Sequence, residues 1–311
     1  MTAAKQLDDK EAELMHLLNL GPEYNRMNQP QKALEFMESA LSICKKTGDT
    51  QGEKTALRHL GVACFALKNY KRAVEFLEQD LIFTQAAGEK MEEMDILEKL
   101  GTANNQIGDF QKAVEYGDQA LEMAKQNGDK LKQVQLLNIL GETSQGLEEM
   151  EKALDYFENG LELAQRIKGC PLESELSKKL SELAVKSGDV EKALVYLERG
   201  LLSARKNKDV SGEGRLLIQL GTTHMDDNEH DKSIIYFEDA LELSKKIGNR
   251  ELQGEALWKT SLGLSYQEKF IEAIERANEA VKIYEKINHP DTMIIRTQIR
   301  KWGEDSASAE D

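Results

Sequence analysis

The sequence predicts an all-α fold, a right-handed superhelical solenoid of seven helix-turn-helix repeats with a C-terminal capping helix. Two observations predict it: a 40-residue period that recurs seven times, and a composition rich in Leu, Glu, Lys and Ala with only four prolines in 311 residues. Gly-Asp punctuation between amphipathic runs is a third.

Leu-Gly pairs fall on one grid at Leu20-Gly21, Leu60-Gly61, Leu100-Gly101, Leu140-Gly141 and Leu220-Gly221, with Leu180-Ser181 and Thr260-Ser261 at the remaining points. A small residue follows each at a fixed distance: Ala33, Ala73, Ala113, Ala153, Ala193, Ser233 and Ala273. Small residues recur where two helices approach closely. Three residues later come Phe36, Phe76, Tyr116, Tyr156, Tyr196 and Tyr236, and then Leu41, Leu81, Leu121, Leu161, Leu201 and Leu241; the seventh copy has Arg276 and Val281. The repeats are therefore set at 8–47, 48–87, 88–127, 128–167, 168–207, 208–247 and 248–287, after an N-terminal tail over 1–7.

Each repeat reads as two amphipathic helices. In the third, Met94, Leu97, Leu100 and Gly101 form one stripe between about Lys90 and Ile107, Gly108-Asp109 interrupts it, and a second helix runs from about Phe110 to Lys125. Breaks at Thr47-Gly48-Asp49, Ala87-Gly88-Glu89, Asn127-Gly128-Asp129 and Ile247-Gly248-Asn249 supply glycines for left-handed helix ends. One helical pair cannot bury its own apolar face, so neighbours must stack into a single array with a continuous core. Pro22 falls inside the first helix and predicts a kinked or frayed capping repeat, whereas Pro30 sits at a helix start, where proline is tolerated. A capping helix over 288–302, opened by Asp291 and carrying Ile295, Ile299 and Trp302, should cover the last repeat; the acidic tail 303–311 is expected to be disordered.

This pattern resembles the tetratricopeptide repeat, with Leu137, Leu140, Gly141, Ala153 and Phe157 matching in the fourth repeat. The period exceeds the usual ~34 residues and is similar to the longer-helix subclass of the G-protein-signalling modulators of the Pins type. In that subclass a recurrent Asn lines the inner groove. The matching positions here are Pro22, Val62, Thr102, Glu142, Glu182, Thr222 and Leu262, which argues against that subclass's spindle-orientation partners. The Lys/Asn/Arg set of a chaperone-tail carboxylate clamp is also missing from the first repeat, where Leu18, Pro22 and Asn25 stand.

The resemblance implies a protein-interaction adaptor that holds an extended or helical peptide segment of a partner in a concave groove. By that analogy, helix-A ladders present Arg58, Glu98, Asn138, Lys178, Ile218 and Trp258, and Asn25, Phe65, Asn105, Gln145, Val185, Met225 and Ser265. The candidate partner-binding residues are Arg58, Phe65, Glu98, Asn105, Asn138, Gln145, Lys178, Met225 and Trp258. Asn and Gln suit a peptide backbone, Arg58 and Lys178 suit acidic side chains, and the apolar groups are candidate anchors. The alternative is a self-associating structural subunit of a larger assembly.

Fifty-six acidic against 41 basic residues give a net charge of -15, which disfavours a phosphate backbone as partner and favours basic segments. No membrane insertion is expected, since no stretch approaches the ~18 apolar residues of a span. Cys44, Cys64 and Cys170 are odd in number and far apart, which fits a reducing cytoplasm and neither a disulfide framework nor a metal cluster. The five histidines lack ligand spacing and no phosphate-cradling glycine loop occurs, so neither enzyme chemistry nor a cofactor or metal is expected.

Overall fold

The computed structural model describes residues 2–308, with side chains over residues 10–304. Among the described residues the secondary structure is fifteen α-helices and no strand. Contacts divide the chain into two compact units, Met1–Leu163 and Ala164–Asp311.

The first unit contains α1 (Thr2–Arg26), α2 (Pro30–Thr47), α3 (Thr50–Ala66), α4 (Tyr70–Ala87), α5 (Lys90–Ile107), α6 (Phe110–Gln126), α7 (Lys130–Gly146) and most of α8 (Met150–Gln165). From α1 to α7 each helix packs on the next, and the A helices of neighbouring repeats also touch, α1 against α3 and α5 against α7. Its core holds Met37, Leu60, Leu77, Met94, Leu97, Leu100 and Leu140. The second unit contains α9 (Glu173–Lys186), α10 (Val190–Asn207), α11 (Val210–Asp226), α12 (His230–Ile247), α13 (Arg250–Tyr266), α14 (Phe270–Lys286) and α15 (Thr292–Ser308). Here too successive helices pack in order, and α9 touches α11 while α11 touches α13. Leu197, Leu216, Leu220, Phe237 and Leu257 centre its core, and α15 closes it with Ile295 and Trp302.

Helix ends explain the Gly-Asp punctuation. Gly48, Gly88, Gly108, Gly128, Gly188 and Gly248 all take positive φ, and their N–H groups or those of the next residue return to carbonyls of the helix just ended. The following residue then opens the next helix: the carboxylates of Asp49, Asp109, Asp129, Asp189 and Asp209 and the amide oxygen of Asn249 each accept a backbone N–H three residues on. Two residues thus end one helix and start another, which fixes the repeat length.

Within a repeat the two helices cross at the Leu-Gly position. A Cβ built on Gly21 would lie 2.4 Å from Met37, on Gly61 2.6 Å from Leu77, and on Gly141 and Gly221 2.4 Å from the rings of Phe157 and Phe237. Those four large side chains are almost wholly buried. The small-residue series Ala33, Ala73, Ala113, Ala153, Ala193, Ser233 and Ala273 is 0% exposed throughout. The deepest aromatics are thus Phe157 and Phe237, one residue beyond the Phe36-to-Tyr236 series, most of which is half-buried.

Two sequence expectations are corrected. Pro22 does not interrupt α1, because the turns around it are fixed by tertiary contacts: Gly21 is buried against Met37, Tyr24 stacks on Phe36 at 5.2 Å, and the Asn25 amide donates to the His59 carbonyl at 3.1 Å. Helix begins at Thr2 and continues to Ser308, so it occupies parts of both stretches expected as tails; Met1 and residues 309–311 lie outside the described residues. The grid slips locally at residues 166–172, where Gly169 takes φ 72° and Pro171 has no N–H to donate, so that α9 starts at Glu173. Arg72 and Lys112 reach back to the preceding B helix, to Glu38 at 2.6 Å and Glu78 at 3.1 Å.

The second repeat carries a buried charge. Asp80 stands at 0% exposure where the other repeats have Ala40, Ala120, Gly160, Gly200, Ala240 and Ala280. Its carboxylate accepts from Arg58 Nε at 3.1 Å and from the Thr84 hydroxyl at 3.2 Å, and the Arg58 guanidinium also donates to Thr84 at 3.1 Å. Glu89 lies 3.7 Å from the same guanidinium and pairs with Lys54. Burial pushes the Asp80 carboxyl above its ordinary range, although Arg58 and Thr84 oppose this.

Two tests follow from this packing. Gly141→Ala and Gly101→Ala sit at equivalent points, but a Cβ at Gly101 meets nothing closer than 3.5 Å. Gly141→Ala should lose about 1–3 kcal/mol to overpacking, whereas Gly101→Ala should gain about 0.5–1 kcal/mol from reduced chain entropy. Urea unfolding followed by circular dichroism reads both, and shifts of the same sign would refute the crossing geometry. For the buried pair, Arg58→Ala should cost about 3 kcal/mol or more because it strands Asp80, and Asp80→Ala less than half of that, since Ala fits this crossing elsewhere. Because Asp80 is held above its unfolded-state pKa, protonation favours the folded chain and rising pH removes that contribution. The Arg58→Ala deficit should therefore shrink as pH falls from about 7 to about 4; a constant deficit would contradict it.

Candidate partner-binding site

The helix-A ladders do not behave as one surface. In the first unit Arg58 is held by Asp80 and Thr84, and Glu98 accepts from Lys132 at 2.7 Å. Lys132 also reaches Asp95 at 3.1 Å; burial works against its charge, but the two carboxylates outweigh this and raise its pKa. Phe65 is half-buried and edge-on to Tyr70 at 5.4 Å. Asn138 is buried at 9% exposure and satisfied within the protein. Asn105 and Gln145 are half-buried at the ends of α5 and α7, where their carbonyls accept from Gly108 and Glu148.

In the second unit Met225 and Trp258 pack against the core. Trp258 lies 5.8 Å from Trp302 of α15, so the capping helix accounts for part of its apolar surface. Lys178 is different: it stands on the wall of a cleft of about 420 Å³ built by α9, α11 and α13. Ile218 and Leu252 supply apolar surface, Ser211, Arg215 and Gln219 line the cleft from α11, and Glu255 faces it from α13. The charge of Lys178 is felt at Glu255, two repeats further along.

The polar groups of this cleft are lightly engaged. Lys178 Nζ is 3.5 Å from Glu182 on its own helix, and Arg215 donates to the Ser211 hydroxyl at 2.9 Å. Burial pushes the Glu255 carboxyl upward, with Lys259 and Lys178 pulling the other way. Of the residues assembled here, the sequence singled out Lys178 as a site and Ile218 as a ladder position; Arg215, Gln219 and Glu255 fall outside both ladders. No signal in the sequence marks them, because the cleft depends on which A helices flank which.

Cys44, Cys64 and Cys170 are free and buried, and burial pushes the Cys44 thiol up to about 11, far from a reactive thiolate. Among the described residues no group of three or more His, Cys, Asp and Glu side chains is placed to hold a metal ion, and no helix is long and apolar enough to cross a membrane. A larger cleft of about 1160 Å³ between α1 and α2 is walled by exposed groups of mixed charge, including Lys10, Glu11, Glu13 and Lys46.

Three solved structures share this architecture. Aspartyl phosphate phosphatase F from Bacillus subtilis superposes with a TM-score of 0.63 at 13% identity, over 93% of each chain. BtubC (BKLC) from P. vanneervenii gives 0.60 at 15% identity, over 71% of this chain and 90% of its own. A Rap protein complexed with competence and sporulation factor gives 0.52 at 11% identity, over 96% and 99%. At these identities the likeness is one of fold. No curated protein matches the sequence. The tetratricopeptide repeat pattern matches residues 11–81, 55–126 and 213–286, more than half of the chain, which therefore belongs to the tetratricopeptide repeat family.

Proposed function

We propose that the protein is an interaction scaffold whose second unit takes a peptide segment of a partner protein into the cleft between α9, α11 and α13. Tetratricopeptide repeats are in general protein-interaction modules, and the observation that carries this reading is the cleft itself. Walls from three successive A helices enclose apolar surface at Ile218 and Leu252, with lightly engaged polar groups around it. A peptide backbone needs both kinds of polar group, and an extended chain fits along a surface that crosses several parallel helices. The Rap protein complexed with competence and sporulation factor, of similar fold, supports a ligand-holding role for such repeats.

The finer features of the reading rest on the sequence. The 40-residue period supports the long-helix Pins-type subclass and the seven-repeat division, while the lack of Asn at the groove positions sets its partners apart from that subclass. A net charge of -15 supports protein over nucleic acid as partner, and three unpaired thiols support a cytoplasmic setting. Self-association through the B helices is the competing reading; Val195 and Ile235, equivalent residues on α10 and α12, are 47% and 61% exposed.

Panning a displayed library of random peptides against the folded protein should select a family of related sequences. Lys178→Glu combined with Arg215→Glu alters exposed or half-buried positions and should change the affinity of those peptides at least tenfold, tightening basic ones and weakening acidic ones, with circular dichroism unchanged. Selected peptides that bind the double variant equally well would place the site elsewhere. Failure to select any, together with a stoichiometric oligomer in sedimentation, would favour self-association.

A further inference from the structure

We infer that the cleft of the second unit is selective for a basic side chain: the partner segment carries a Lys or Arg that seats against the carboxylate of Glu255. The inference rests on the peptide-binding reading above and specifies its chemistry. Glu255 is half-buried on α13 and faces the cleft, yet neither a hydrogen bond nor an ion pair from within the chain reaches it among the described residues. The other charges of the cleft are better provided for, Glu251 by its exposure to water. Arg215 is exposed to water and bonded to Ser211, and Lys178 has Glu182 within 3.5 Å. A solvated cation gains little from a partner, whereas a carboxylate that has lost part of its water and found no donor gains most.

The position is also rigid. Gly254, the preceding residue, is packed so tightly that a Cβ there would lie 2.1 Å from the ring of Tyr284, which is 3% exposed. The backbone carrying Glu255 is therefore pinned against α14. Burial is also the leading cause of the raised pKa of Glu255, and Glu251 adds to it, while Lys259, Lys178 and His289 act at a distance in the opposite sense. The apolar Ile218, 7% exposed, lies beside it and suits the methylene stem of a lysine or arginine. The net charge of -15 would draw basic segments toward the protein from further away.

The test uses the whole chain with isoleucine methyl groups labelled for NMR, and two blocked pentapeptides, acetyl-Gly-Gly-Arg-Gly-Gly-amide and its Glu counterpart. The Arg peptide should shift the Ile218 methyl saturably and the Glu peptide should not. Glu255→Gln should weaken that response at least tenfold, while Glu272→Gln, an exposed acid on α14 outside the cleft, changes it less than twofold. An Arg response that is spread over the whole acidic surface, is absent, or is indifferent to Glu255→Gln overturns the inference. If only the Glu peptide moves Ile218, or if display-selected peptides lose binding with Lys178→Glu and Arg215→Glu but not with Glu255→Gln, the cation selectivity is wrong while the peptide-binding reading stands. If neither pentapeptide nor any displayed peptide reaches the cleft, both fail.

Discussion

Each repeat is held by a close crossing of its two helices, and that crossing sets what every other position can be. A glycine or serine on helix A lets the backbone come within reach of a single residue on helix B, and the size of that residue fills the gap. Gly21, Gly61, Gly141 and Gly221 receive Met37, Leu77, Phe157 and Phe237. Where Ser181 and Ser261 replace glycine, their hydroxyls turn back onto the carbonyls of Lys178 and Trp258, so the crossing stays satisfied without a free polar group. Gly101 meets Gly117, and the space is taken from the other side by Leu140, which a Cβ on Gly117 would approach to 2.7 Å. The exchange of volume between neighbours keeps the packing dense while the residues change.

Because the crossing and the Gly-Asp helix ends are local, they repeat at a fixed interval and are readable from the chain alone. The helices expected over about Lys90–Ile107 and Phe110–Lys125 are found as Lys90–Ile107 and Phe110–Gln126 for this reason. Helix ends without glycine obey the same geometry, since Asn28, Lys68, Glu148, Lys208, Asn228, Glu268 and Asn288 accept the positive φ that glycine takes elsewhere. Pro22 misled because its effect on an isolated helix is overridden by contacts on both sides of it. α9 starts late in its repeat because Pro171 keeps the residue count while changing the turn.

The candidate site was far less legible, since a ladder position says where a residue stands and not what it meets. Four residues at equivalent points have four fates: Arg58 serves a buried aspartate, Glu98 serves a lysine of the next repeat, Asn138 is buried, and Lys178 opens onto a cleft. The difference lies in residues outside the ladders. Asp80 replaces the small residue found at six equivalent crossings and captures Arg58, while Lys132 captures Glu98. Reading such a site requires knowing which neighbours quench which charges, and that is a property of three-dimensional proximity between repeats.

Two carboxylates, the buried Asp80 and the half-buried Glu255, show what this distinction means physically. Both are raised by burial, and both therefore carry a desolvation cost. Asp80 is repaid inside the fold, by a guanidinium at 3.1 Å and a hydroxyl at 3.2 Å, so its charge locks α3 to α4 and is closed to outside ligands. Glu255 lies on a cleft wall with its nearest cations acting only at a distance, so the same kind of cost remains available to whatever enters. A repeat scaffold can thus use one chemical device in two ways, as an internal clasp where the donor is its own and as a recognition point where the donor must come from a partner.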